Sequence, residues 1–200
     1  MLKRAFDIFF SAGALLVLGP LLLAVALWVK TDSPGQVFFR QRRVGRDGHE
    51  FQIYKFRTMT TGAEARGLQI TVGSDSRITR SGEFLRKYKI DELPQFLNVL
   101  FGDMSVVGPR PEVPRYVALY PERLRSLVLS VRPGITDLAS IEYRDENDLL
   151  GASDDPEKTY VEVVMPAKLA LCEKYVQTCS LWGDLIIIVR TARAAFMPNM

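Results

Sequence analysis

Lys89-Ile90-Asp91-Glu92-Leu93-Pro94-Gln95, followed by Gly102-Asp103-Met104-Ser105-Val106-Val107-Gly108-Pro109-Arg110-Pro111, is the part of this sequence that carries most chemistry. Two adjacent carboxylates stand behind a basic helical segment, Arg86, Lys87 and Lys89, and a Pro-Arg-Pro corner comes after them. Acid pairs close to fixed cations suit metal-assisted phosphoryl chemistry: carboxylates bind Mg²⁺ or attack phosphorus, and Arg neutralises phosphate oxygens. The plainer reading is a helix terminus with acids in its first turn, where the helix dipole favours them. Pro94 disfavours helical geometry at Leu93. The pattern therefore predicts a helix from about Ser81, a break near Asp91–Leu93, and a second helix to Leu100, with both carboxylates at its N-terminus, where free N–H groups also favour phosphate.

Upstream, Val37–Arg43 and Phe51–Arg57 read as two strands joined through Asp47-Gly48. Phe51, Ile53, Lys55 and Arg57 share one face, so the far end of the second strand is basic. Residues 60–76 read as a polar loop over the site. Downstream, 112–130 is largely helical with a new turn at Pro121, 131–143 contains a strand-like alternation, and 145–155 is an acidic loop. Asp155-Pro156 starts a helix towards Cys179, interrupted near Pro166. A last apolar helix, Leu181–Phe196, carries Arg190 and Arg193 and suits either a membrane surface or the core. The fold class is mixed α/β and helix-rich.

A net charge of +3 gives nucleic-acid binding little electrostatic support. The cations are nevertheless concentrated: Arg40, Arg42, Arg43, Arg46, Lys55 and Arg57 follow closely on an apolar segment. There they form a solvated face or meet anionic headgroups and phosphates. Cys172 and Cys179 lie two helical turns apart, about 10 Å, too far for a disulfide, and read as buried hydrophobes of a reducing compartment. With one histidine, His49, the sequence offers no zinc cluster and no Ser-His-Asp set.

The apolar segment, Ile8 to Val29, carries no charge and is long enough to cross a bilayer. Gly19-Pro20 stands at its middle, and its halves are about 18 Å and 14 Å long as helix, each short of the roughly 30 Å hydrocarbon core. Lys3 and Arg4 precede it, and Lys30 and the arginines from Arg40 follow. The preference of basic flanks for the cytoplasm would place both ends on one side. A re-entrant helix-break-helix (residues 1–30) and a proline-kinked span both fit, with 31–200 as the soluble catalytic domain.

Taken together, Asp91-Glu92-Leu93-Pro94-Gln95 with Asn98-Val99-Leu100, Gly102-Asp103-Met104-Ser105 and Val107-Gly108-Pro109-Arg110-Pro111 resemble the signature of the bacterial sugar transferases. These are monotopic phosphoglycosyl transferases acting on polyprenol phosphate. Lys3-Arg4-Ala5-Phe6-Asp7, Phe39-Arg40-Gln41, Tyr54-Lys55-Phe56-Arg57-Thr58-Met59, Val131-Arg132-Pro133-Gly134-Ile135-Thr136 and Ser180-Leu181-Trp182 extend the likeness over almost the whole chain. The resemblance implies a re-entrant membrane helix broken at Gly19 and Pro20, a compact catalytic domain with a small β-hairpin and interfacial helices, and a place on the cytoplasmic face of the bacterial inner membrane.

It also implies transfer of a sugar 1-phosphate from a UDP-sugar to undecaprenyl or another polyprenol phosphate, with release of UMP. Asp91 would be the nucleophile and Glu92 its partner, both near Mg²⁺, while Arg86, Arg110, Arg132 and Lys55 would hold phosphate. The oligomeric state is left open, a dimer included. The chain departs from the family pattern at Asp137-Leu138-Ala139-Ser140-Ile141-Glu142-Tyr143-Arg144, and it resembles the minimal form without extra membrane helices. Two other classes share the acid pair: a membrane-tethered scaffold, and a Mg²⁺-dependent lipid phosphatase.

Overall fold

The computed structural model describes residues 1–63 and 75–196. The core of the expected 60–76 loop lies outside the described residues. Its edges are joined by a bridge between Met59 and Ile78 and by Arg77, whose Nη1 donates to the Ala63 carbonyl at 2.9 Å.

The apolar segment forms one helix, α1 (Leu2–Asp32), which runs through Gly19 and Pro20 without interruption. The expected break at Gly19-Pro20 takes the form of a proline inside a continuous helix: Pro20 removes one backbone hydrogen bond, the usual cause of a helix bend, and the turns on either side continue. The polarity of α1 is inverted relative to a water-soluble helix. Its buried residues are Asp7, Ser11, Val25 and Val29, while Phe9, Leu16, Val17, Leu21, Leu23 and Leu27 face outward. Apolar side chains in that number on the outer face mean that the surface they meet is not water.

Polar bonds fix α1 to the rest of the chain at both ends. Asp7 is buried and accepts from the Ser105 hydroxyl at 2.9 Å and from the Val106 N–H at 3.0 Å. Lys3 Nζ donates to Asp184 at 2.6 Å and to the Val107 carbonyl at 3.0 Å, and Arg4 Nη1 donates to the Val99 carbonyl at 2.6 Å. At the other end, Arg57 Nη2 donates to the carbonyls of Val29 and Ser33, at 3.2 and 2.8 Å, and Asp32 accepts from the Ser81 N–H at 3.0 Å. Arg57, the last cation of the basic strand face, is thus a buried structural tie.

The hairpin β1 (Phe38–Val44) and β2 (Glu50–Phe56) is antiparallel, Phe38 opposite Phe56 and Val44 opposite Glu50. Its reversal uses Asp47 in the left-handed region, φ 55°, and Gly48, φ 80°. Then come α2 (Arg80–Lys87), capped by the Thr79 hydroxyl, and α3 (Gln95–Phe101), closed by left-handed Gly102. Asn98 of α3 ties the hairpin down, accepting from the Tyr54 N–H at 2.9 Å and donating to the Gln52 carbonyl at 2.8 Å.

β3 (Ser105–Val107) and β4 (Gly134–Thr136) form a second, parallel pair. They approach so closely at Gly108 and Gly134 that a Cβ on Gly134 would lie 2.1 Å from the Gly108 nitrogen. Only glycine allows this contact. Between the two strands lie α4 (Pro114–Val117) and α5 (Glu122–Val128).

After β4 the structure is more helical than the sequence predicts. α6 (Leu138–Glu142) replaces the rest of the expected strand, and α7 (Glu146–Gly151) replaces the acidic loop, its Leu150 fully buried. Asp155 caps α8 (Pro156–Thr159), a π-turn follows at Tyr160–Val164, and α9 (Met165–Thr178) continues past Pro166. The expected interruption therefore falls one turn before the proline. α10 is Leu181–Phe196, as expected. Cys172 is buried and Cys179 exposed, both as free thiols, so only the first is the small core hydrophobe expected of both.

Replacing Asp7 by Ala strands the Ser105 and Val106 donors under α1, at a cost of roughly 2–4 kcal/mol. Thermal denaturation in detergent should register the loss. Asp7→Asn, which keeps one acceptor, should lose less, and equal melting points for the two would refute this account of how α1 is docked.

Candidate active site

Asp91 and Glu92 do not begin α3. They sit one turn before it, in a 3-10 turn (Ile90–Glu92), and the N-cap of α3 is Pro94, with no side-chain cap bond. The expected helix-N-terminal placement is corrected, and the capping explanation of the acid pair goes with it. What reverses the chain after α2 is Lys89, a non-glycine residue at φ 56° and ψ 21°, a conformation that costs of the order of 1–3 kcal/mol and persists where the surroundings enforce it.

The two neighbours have opposite environments. Glu92 Oε1 accepts from Lys55 Nζ at 2.8 Å, Oε2 accepts from Arg110 Nη1 at 2.9 Å, and Arg110 Nη2 closes a fork onto Oε1. Burial by itself would raise the Glu92 carboxyl, but the Arg110 and Lys55 cations outweigh it and hold Glu92 well below the usual carboxylate range. Glu92 in turn raises Arg110, while burial lowers Lys55 against the pull of Glu92.

Asp91 is 7% exposed, and its Oδ1 has no hydrogen-bond partner among the described residues. Burial first and the Glu92 charge second push Asp91 up to about 6, with Lys55, Arg86 and Lys89 pulling the other way. A buried carboxylate with an unspent oxygen is costly structurally and apt chemically.

Three elements meet here: Lys55 from β2, the acid pair from the 3-10 turn, and Arg110 from the corner after β3. Arg86, on α2, reaches Thr58 Oγ1 at 3.5 Å and bears on the Asp91 charge. Arg132 is placed differently. Its Nε donates to the Gly102 carbonyl at 2.8 Å, at the end of α3 remote from the acid pair, and no described hydrogen bond joins it to either carboxylate.

Behind Arg110 lies a network absent from the sequence reading. Glu112 is held by Arg43 at 3.2 Å and accepts from the Tyr160 hydroxyl at 2.6 Å. Burial raises the Glu112 carboxyl, but Arg43 and Lys168 outweigh it and lower it. Its adjacency to Pro109-Arg110-Pro111 was the one available signal; nothing in the sequence points to Tyr160. A cavity of about 20 Å³ lies among Arg110, Glu112, Asp137, Tyr160, Lys168 and Cys172. It has room for a water molecule only.

Mg²⁺ usually takes one or two carboxylates and completes its shell with phosphate and water oxygens. Asp91 and Glu92 are hard oxygen donors of that kind, and the orphaned Asp91 Oδ1 is a free ligand atom. Among the described residues no group of three or more His, Cys, Asp or Glu gathers, so a cation here would depend on oxygens brought by a substrate. The residues present fit such a cation.

The model of the family described as "Bacterial sugar transferase" matches residues 1–198. The chain belongs to that family. An exopolysaccharide production protein of Rhizobium leguminosarum bv. phaseoli is 44% identical over 199 residues, covering 96% of this chain and 93% of the relative. A UDP-N-acetylgalactosamine-undecaprenyl-phosphate N-acetylgalactosaminephosphotransferase of Aeromonas hydrophila is 38% identical over 96% of this chain. A UDP-glucose:undecaprenyl-phosphate glucose-1-phosphate transferase of Escherichia coli is 38% identical over 98%. The chain spans 43% of the Aeromonas relative and 40% of the E. coli one.

The two carboxylates of this family member should respond oppositely to removal. For Asp91 the folded-state value lies above the unfolded one, about 3.9. Its contribution is therefore fully present below pH 4, declines as pH rises through about 6, and at pH 7.5 leaves a cost of roughly 2–3 kcal/mol. Asp91→Asn should accordingly be more stable than wild type at pH 7.5, without donor or divalent cation, and the gain should vanish below pH 4. Glu92 is the reverse case: its lowered value gives stability at neutral pH that is lost on acidification. Glu92→Gln leaves Lys55 and Arg110 without a counter-charge and should cost roughly 3–5 kcal/mol. Melting curves of the two variants between pH 4 and 8 check both signs.

Proposed function

We propose that this chain moves a sugar 1-phosphate from a UDP-sugar to polyprenol phosphate, undecaprenyl phosphate in the first instance, releasing UMP through a covalent intermediate on Asp91. One observation carries the assignment of roles: of two adjacent carboxylates, Glu92 has both oxygens bound to cations, and Asp91 has an oxygen bound to nothing described. The printed activities of the Aeromonas and E. coli relatives support the reaction class.

In the first half-reaction an Asp91 carboxylate oxygen attacks the β-phosphorus, the one bearing the sugar. The bond from that phosphorus to the bridging oxygen breaks, and its electron pair leaves with UMP. In the second, a phosphate oxygen of the polyprenol acceptor attacks the same phosphorus and frees Asp91, leaving a polyprenyl diphosphate sugar. Desolvation keeps the ionised Asp91 oxygen reactive above pH 6. Arg110, Lys55 and Arg86 offset the charge of the diphosphate. Glu92 fixes the first two in position. Bound Mg²⁺, held by Asp91 and Glu92, would neutralise phosphate oxygens further.

The chain works at a bilayer, with both ends of α1 on the cytoplasmic side of the inner membrane. Lys3, Arg4 and Asp7 at one end, and Val29 and Asp32 at the other, bond to the same catalytic body. A span would have to release one set of these ties, so the double attachment supports a re-entrant course. With Cys172 and Cys179 replaced, Leu2→Cys and Thr31→Cys should both react with a membrane-impermeant maleimide only from the cytoplasmic side of sealed vesicles. Labelling of Leu2→Cys from the opposite side overturns the re-entrant course.

Incubated with Mg²⁺ and each of a panel of UDP-sugars, but no acceptor, the protein should release UMP and gain the phosphosugar mass on the peptide containing Asp91. A scaffold would release nothing, and a lipid phosphatase would need no nucleotide sugar. Asp91→Asn should lose turnover by at least about 10³-fold while staying folded. Robust turnover by that variant would place the nucleophile elsewhere.

A further inference from the structure

β3 and β4 run parallel and in register, Val107 opposite Thr136. The residues leaving their C-terminal ends therefore emerge side by side: Gly108-Pro109-Arg110 from one, Asp137 from the other. The Gly108 N–H donates to the Thr136 carbonyl at 3.1 Å, and the Gly134 N–H to the Pro109 carbonyl at 2.9 Å.

Asp137 is 1% exposed. Its Oδ1 accepts from the Ser140 N–H at 2.7 Å, the N-cap of α6. A cap needs one oxygen, and serine or asparagine would supply it. The second oxygen, Oδ2, accepts from the Arg110 main-chain N–H at 3.2 Å, with the Cys172 thiol at 3.8 Å. Pro109 and Pro111 carry no N–H, so Arg110 has the one main-chain donor of the Pro-Arg-Pro corner. That donor is spent on Asp137. The same residue's guanidinium forks onto Glu92. A rigid corner with its single donor fixed sets the direction in which the Arg110 side chain leaves the main chain, and the fork onto Glu92 fixes its far end.

We propose that Asp137 is a positioning residue for the transfer reaction, fixing the Arg110 main chain and so aiming its guanidinium at Glu92 and the donor phosphates. This rests on the proposed function for its catalytic consequence, and on the corner geometry alone for its structural one. A misplacement of about 1 Å at such a group can cost roughly a hundred-fold in rate.

The test is a double-mutant cycle on the full chain in detergent or nanodiscs, read as kcat/KM for UMP release with donor and acceptor. Asp137→Ala should lose on the order of a hundred-fold in the wild-type background. In an Arg110→Ala background the same substitution should change kcat/KM by no more than about two-fold, because the group it aims is gone. Asp137→Asn, able to keep the cap but not both bonds, should fall between. Independent, additive losses would overturn the proposal, since a purely structural Asp137 would cost the same in either background.

Residue-resolved hydrogen exchange supplies a readout without catalysis. The Arg110 amide should exchange on the order of ten-fold faster in Asp137→Ala, with the β1–β2 amides unchanged. If the hairpin amides also accelerate, Asp137→Asn carries the comparison. Unchanged exchange at Arg110 overturns the proposal even where no UDP-sugar supports turnover. Failure of wild type to release UMP counts against the proposed function instead.

Discussion

Glu92 between Lys55 and Arg110 is the contact that holds this site together. The three charges come from three separate parts of the chain, and each is largely removed from water. A buried pair of cations without a carboxylate would not tolerate its own desolvation, and a lone buried carboxylate would take up a proton. Glu92 is therefore kept ionised by the two cations, and its charge in turn favours the ionised Lys55. The hairpin, the acid turn and the Pro-Arg-Pro corner are in this way pulled to one point.

This arrangement also supports the proposed choice of the reacting carboxylate. An oxygen already accepting from an ammonium or a guanidinium has much of its charge offset, which stabilises it and makes it a poorer nucleophile. Asp91 has neither a partner on Oδ1 nor a full counter-charge, and the field of Glu92 raises its proton affinity further. The sequence gives two acids of nearly identical chemistry side by side. Their division of labour comes from Lys89, whose left-handed backbone turns Asp91 into the interior, and from the two cations that claim Glu92.

Much of this could be read before any coordinates. Acids beside cations and the uncharged run from Ile8 to Val29 are local signals that marked the acid turn and the first helix, and strand alternation from Val37 to Arg57 gave the hairpin to within a residue. What escaped reading depends on partners distant in sequence. Leu138–Glu142 alternates like a strand, yet β3 is only three residues long, so β4 has nothing further to pair with, and the Asp137 carboxylate caps a helix instead. Residues 146–151 look like an acidic loop until Leu150 is seen buried and Glu146 paired to Lys168 at 2.8 Å. Glu112, Tyr160 and Asp137 matter because of what the fold sets against them, and a linear sequence does not display that.

The membrane helix belongs to the same argument. α1 does not hang from the catalytic body as a tether. Asp7 accepts from the main chain of β3, and Lys3 donates to its last carbonyl, Val107. Gly108 and Arg110 follow within three residues. The strand that leads to Arg110 is therefore bonded on one side to the apolar helix α1 and on the other to β4, which leads to Asp137. Lys3 also binds Asp184 of α10, whose exposed Trp182, Leu185 and Ile186 present a further apolar surface. On the proposed function, an acceptor whose phosphate lies at the headgroup level and whose tail lies in the hydrocarbon would meet Asp91 at a fixed depth. Bonds running directly from the first turns of α1 to the strand before Arg110 fix that depth more tightly than a flexible linker could.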